Sequence, residues 1–206
     1  MCTLNRFLFL LFLTLTLAAG CQPTSTSEAI INDESKVDGT LIKILPLGAV
    51  DAIYIDEAVA ALKKYTGNAV LLKARGLPPH AYYLPRNRYR ADSLIKWMAA
   101  KAGPGEVYVG LTSVDISTTK DGNADFGVMG LGYQPGRACV ISSFRLKNKR
   151  NFYKLVLHEA AHTAGLPHCP EATCFLRDAK GGDHTEEEIG FCNSCSNLLK
   201  AKGWVL

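Results

Sequence analysis

The chain has 206 residues, 48% hydrophobic and 20% charged, enough to bury a core and in keeping with one folded domain. Its formal charge of +4 is modest. Basic residues gather at Arg86, Arg88 and Arg90 and again at Lys147, Lys149 and Arg150. No aromatic-studded RNA motif or recognition-helix pattern accompanies them, so both runs read as solvated surface and nucleic acid is set aside as a partner.

Residues 1–20 hold an early arginine, an apolar run from Phe7 to Leu17, and then small residues. A bilayer span needs about 20 apolar residues, so the run is too short and reads as a secretory signal peptide. Its end, "LAAGC", resembles the lipobox of bacterial lipoproteins. That resemblance implies that Cys21 becomes a lipidated N-terminus on an exported protein, anchored to the membrane of the bacterial cell envelope and facing periplasm or surface. Plain secretion with an unpaired Cys21 is the alternative. Residues 21–39 are rich in Ser, Thr, Asp and Glu without an apolar period, and read as a flexible tether. The folded domain is placed at 40–206 and expected to be a monomer.

Within it, "TLIKILPLGAV" predicts a buried strand. "DAIYIDEAVAALKKYTG" predicts a helix, with Asp51 as cap and Gly67 as terminator. "NAVLLKAR" predicts a second strand, and the proline-broken "GLPPHAYYLPRNRYR" a loop. A second helix follows in "ADSLIKWMAAKAG" and a third strand in "EVYVGLTSVDIS". Alternating strands and helices argue for an α/β domain with a mostly parallel sheet. The pattern then changes: "DFGVMGLGY" and "RACVISS" are extended pieces joined by "QPG", a turn signal. Gly127, Gly130 and Gly132 suit an edge or bulged strand better than a central one. A short helix near Cys195 to Lys202 ends the chain.

Before it, "NKRNFYKLVLHEAAHTAG" predicts a helix capped by Asn148 or Asn151 and ended by Gly165. His158 and His162 are four apart, so both imidazoles leave one face, as two ligands of a zinc ion do. Glu159 sits beside the first, placed to act on water without ligating. After Gly165 turns the chain, His168 can return as a third ligand. Three histidines with one open position is the arrangement of a catalytic zinc. Glu159 then serves as the general base.

Cys169, Cys174, Cys192 and Cys195 form C-x4-C and C-x2-C pairs, which resemble a zinc knuckle. Two disulfides are the competing pattern, usual in an exported protein. The spacing favours zinc, because a CxxC pair bridged to itself constrains little chain. Cys139, in an apolar stretch, reads as a buried strand residue. His80 and His184 read as loop residues, while Tyr133 and Tyr153 are candidates for stabilising an oxyanion.

Together, His158, Glu159, His162, Gly165, His168, Cys169, Cys174, Cys192 and Cys195 resemble the motif of the archaemetzincins, a zincin family of metalloproteases. This chain has Leu176 where the family pattern has methionine, and a shorter gap to its CxxC pair. The resemblance implies an α/β, zincin-like fold. Its mixed sheet would have an antiparallel edge strand and pack on a long active-site helix, beside a small zinc-stabilised C-terminal subdomain. It also implies two zinc ions per chain, one catalytic and one structural, and a peptide or protein substrate. The alternatives are a zinc hydrolase of some non-peptide amide and a catalytically silent two-zinc scaffold.

Overall fold

A computed structural model describes residues 39–206. The signal peptide, Cys21 and nearly all of the tether lie outside them. The first strand, β1 (Leu41–Pro46), leads into helix α1 (Ala52–Thr66) and strand β2 (Ala69–Leu71). Helix α2 (Ala91–Ala99) precedes strand β5 (Glu106–Thr112), and two short strands before α2, β3 (Tyr82–Tyr83) and β4 (Arg88–Arg90), belong elsewhere. Strands β6 (Ile116–Lys120), β7 (Asn123–Val128), β8 (Gly130–Gly132) and β9 (Ala138–Ser142) follow. Helices α3 (Phe152–Thr163) and α4 (Asn193–Lys200) complete the order.

The main sheet runs β2-β1-β5-β9-β8, parallel except for the antiparallel edge strand β8. Side chains alternate across it, as strand geometry requires. Ile42, Ile44, Val107, Val109, Cys139 and Ile141 face one layer, where they pack on α1 and α3. Leu45, Tyr108, Ala138 and Val140 face the other, against Leu94, Ile95 and Met98 of α2. Hence α3 lies on the sheet with its buried face fixed by a two-sided core, in the α/β arrangement expected. Among the described residues no helix is long and apolar enough to cross a membrane.

Helix ends follow the sequence signals in part. Gly67 takes the left-handed conformation (φ 71°) and its N–H closes α1 on the Lys63 carbonyl. Asp51 stands at the N-cap of α1, but its side chain makes no capping bond. Asn148 caps the 3-10 turn ahead of α3, accepting from the Arg150 N–H, whereas the Asn151 side chain does not cap.

Three segments differ from the sequence reading, and for one reason. A second sheet, β3-β4-β6-β7, is built from the supposed loop and from halves of two supposed single strands. "EVYVGLTSVDIS" breaks at residues 113–115 into β5 and β6, and "DFGVMGLGY" breaks at Met129 into β7 and β8. The halves join different sheets. The β6–β7 turn is Asp121–Gly122, both at positive φ, the pairing that tight hairpins favour. Ile116, Tyr89 and Val128 seat this sheet on the core around α2, and arginine–aspartate pairs cross-link it. Arg88 pairs with Asp115 at 3.0 Å and with Asp125 at 3.2 Å, and Arg145 grips Asp115 with two bonds of 2.6 and 2.9 Å. Arg88 is thus largely buried, correcting its reading as solvated surface, and Arg90 donates to Ser117 and Thr119. Lys149 donates to the Ser143 and Phe144 carbonyls, while Lys147 and Arg150 are exposed.

Removing one partner from a mostly buried charge network leaves the others uncompensated. Asp115→Ala is therefore expected to cost about 3 kcal/mol of unfolding free energy in a urea titration. A loss below about 0.5 kcal/mol, the level of an ordinary surface change, would mean the network does not hold the second sheet.

Candidate metal centre and cleft

Helix α3 presents His158 and His162 one turn apart on a buried face. Gly165, at φ 95°, ends the helix and turns the chain so that the exposed His168 returns to the pair. Ligand atoms of the three imidazoles lie within 4.8 Å of one another.

The second nitrogen of each helix histidine settles what the first can do. Nδ1 of His158 is 2.6 Å from the Phe175 carbonyl, and Nδ1 of His162 is 2.7 Å from the Leu166 carbonyl. A carbonyl only accepts, so both Nδ1 atoms carry the proton. Burial, with the neighbouring His162, pushes His158 down to about 3, and burial also lowers His162, so both rings are neutral. Two bare Nε2 lone pairs then face each other at 3.0 Å. Neither can donate to the other. Two nitrogens bound tetrahedrally to one zinc would be roughly 3.3 Å apart, so the donor set fits such an ion.

Glu159 is buried on the same helix, and burial pushes its carboxyl up to about 8 against a stabilising Gly132 N–H. Strand β8 crosses directly above it. A Cβ at Gly130 would stand 2.5 Å from Glu159 Oε1, and one at Gly132 would stand 2.7 Å from the Glu159 carbonyl and 3.2 Å from His162 Cβ. These glycines do sit on an edge strand, as their sequence context suggested. Their closer reason is that backbone passes where no side chain fits.

The cleft beneath β8 is a cavity of about 540 Å³ lined by His158, Glu159, His162 and His168 together with β7, β8 and residues of the 177–188 loop. Tyr133 is not among its walls; its hydroxyl donates to Asp92 Oδ1 at 3.1 Å. Tyr153 packs edge-on against Phe175, also away from the cavity. His184 lines the cavity and lies 3.5 Å from Glu187, a placement that sequence alone did not indicate. His80 is exposed on a 3-10 turn. Glu188, a buried wall residue, was also missed: it lies in a run of three glutamates that reads as solvent-facing.

Beside this centre the sulfurs of Cys169, Cys174, Cys192 and Cys195 lie within 4.8 Å of one another, and all are free thiols. Cys169 and Cys192 are 3.7 Å apart, near the ~3.8 Å of two thiolates on one tetrahedral zinc and far from the ~2.05 Å of a disulfide. Cys192 stands at the N-terminus of α4, where the Cys195 N–H pulls its thiol below the ordinary range. Cys139, on β9 opposite Gly132 of β8, is fully buried, and burial pushes its thiol up. Leu176, at the position of the family methionine, is fully buried, and its carbonyl accepts the Cys169 N–H at 2.7 Å.

A mixed sheet under a helix that delivers converging imidazoles and a carboxylate to an open cleft is the plan of a zincin-like metallopeptidase. The model of Peptidase family M54 matches residues 52–201. An archaemetzincin from Haloquadratum walsbyi is 31% identical over 77% of this chain and 99% of its own length. The crystal structure of archaemetzincin from Methanopyrus kandleri superposes with a TM-score of 0.68 at 26% identity, covering 79% of this chain and 95% of that one. That from Archaeoglobus fulgidus, complexed with malonate, gives 0.64 at 24% identity, over 77% and 99%. The chain belongs to Peptidase family M54, the archaemetzincins, a family of zinc-dependent metallopeptidases.

The close passage of β8 over Glu159 makes a specific demand. Gly130→Ala is expected to displace the carboxylate and cut turnover at least about a hundredfold, with metal content near the parent's and a stability loss of about 1–3 kcal/mol from the overpacked contact. Parental activity in this variant would show that the contact does not position Glu159.

Proposed function

We propose that the chain is a peptidase whose catalytic zinc is held by His158, His162 and His168, with Glu159 as the general base. The observation that carries this reading is the pair of bare Nε2 lone pairs facing each other beside a third imidazole, inside the cavity that also contains Glu159. Bound there, zinc supplies Lewis acidity, polarising a scissile carbonyl and acidifying water to a pKa of about 7. Glu159 takes a proton from the attacking water and hands it to the departing amine. The outer edge of β8 closes the main sheet without a further strand among the described residues, so an extended peptide can add there by main-chain hydrogen bonds. An open cavity at the centre speaks against a silent scaffold.

The four cysteines are proposed to hold a second, structural zinc, giving two ions per chain, on the strength of their thiolate-like spacing. The lipidated Cys21, the envelope location and the monomeric state are likewise proposed from sequence, the first two resting on the signal and its lipobox-like end.

Glu159→Gln should retain fold and zinc but lower peptide turnover by at least about a hundredfold. His162→Ala should instead lose zinc from this centre, measured as metal per chain. A Glu159→Gln variant that cleaves as fast as the parent would sink the mechanism.

A further inference from the structure

The catalytic cavity extends along α3 towards that helix's N-terminal end, where Leu155, Thr185 and Glu188 line it. Leu155 lies three residues before His158, so it occupies the next turn of the same face. Glu188 is 5% exposed, and its Oε2 is buried with no hydrogen-bond partner among the described residues. Such groups are rare in folded proteins, because burial strips their water without replacing it.

The neighbouring cations do not supply the missing partner. Lys154 Nζ donates to the main-chain carbonyls of Thr185 and Glu188, at 2.6 and 2.7 Å. Arg177 pairs with Glu187 at 2.5 Å. Burial pushes the Glu188 carboxyl up to about 7, with Asp183 and Glu187 adding to the rise and Lys154 and Arg177 opposing it. A second buried carboxylate therefore lies in the wall of the reaction cavity, separate from the histidine centre and used by no step of the mechanism.

We propose that Glu188 forms a substrate subsite for a lysine or arginine side chain adjacent to the scissile bond. The proposal rests on the peptidase reading and names the substrate class for it. Leu155 offers an apolar wall for the aliphatic stem, and the carboxylate receives the charged head. A neutral side chain of equal size leaves the buried carboxylate unpaired, and an acidic one repels it. Lys120, Arg145, Lys147, Arg177 and Lys180 also line the cavity, but Arg145 and Arg177 are paired with Asp115 and Glu187, and the three lysines are exposed, so solvent and salt screen their pull on acidic substrates.

The test begins with the zinc-loaded full chain and a mixed peptide library, with cleavage sites mapped by mass spectrometry. Matched peptides carrying arginine or its neutral isostere citrulline at the preferred position are then compared. The parent should favour arginine by at least about tenfold in kcat/KM, and Glu188→Gln should bring that ratio below about twofold. If Glu188→Gln fails to fold, the parent's own ratio decides. Equal cleavage of the pair by the parent, an unchanged ratio in the variant, or cuts concentrated beside acidic residues would overturn the subsite. Cleavage of no library member contradicts the peptidase reading instead, and direct binding of the two peptides then decides the subsite.

Discussion

The site hangs from one stretch of backbone, Gly165 to Leu176. Its Leu166 carbonyl fixes the tautomer and tilt of His162, and its Phe175 carbonyl does the same for His158. It carries His168 into one donor cluster and Cys169, the next residue, into the other. Neighbouring side chains on extended backbone point to opposite sides, so one peptide unit separates the two clusters. A helix alone would present two imidazoles free to rotate. The returning segment turns them into a preorganised pair and adds the third.

That segment has little regular structure of its own. Isolated bridges, Cys169 with Arg177 and Cys174 with Gly190, stand where a strand pair would otherwise run, backed by the Phe175 N–H on the Gly190 carbonyl. Phe175, Phe191, Tyr65 and Trp204 pack edge to face beneath it, tying it to α1 and the C-terminus. Aromatic contacts of this kind add about 0.5–1.5 kcal/mol each beyond burial. Bringing the four sulfurs together adds the remaining constraint, and on the reading proposed above an ion locks it. From the other side, β8 presses on Glu159 and His162 closely enough to exclude any Cβ. Glu159 and the three histidines are thus confined between a backbone strand on one side and the Gly165–Leu176 segment on the other.

Much of this was legible because chemistry with strict geometry leaves strict spacing. The four-residue interval of His158 and His162, Gly165, and the paired cysteines each encode one angle or one reach. The parallel core strands were equally legible, since burial on both faces writes continuous apolar runs. The second sheet was not. Its strands are two to six residues long, and arginine–aspartate pairs formed across distant segments hold them. No local period records a contact between Arg88 and Asp125. The breaks at residues 113–115 and at Met129 were hidden likewise, because a strand that changes sheets keeps its β-forming residues throughout. Glu188 escaped notice for a related reason: its burial depends on a loop folding back over α3, which a run of three glutamates gives no hint of.

The central claim is that the cysteine cluster supports the histidine centre through the Gly165–Leu176 backbone. It is tested most directly by titrating a chelator against the zinc proposed at the histidines in the parent and in Cys192→Ser, with fold monitored by circular dichroism. Cys192 lies far along the chain from the histidines and touches none of the proposed catalytic ligands directly in sequence. The account predicts that the variant, still folded, holds that zinc roughly ten- to a hundredfold more weakly, the usual effect of losing support behind a metal ligand. Equal affinities in parent and variant would contradict it and show that the two clusters are independent.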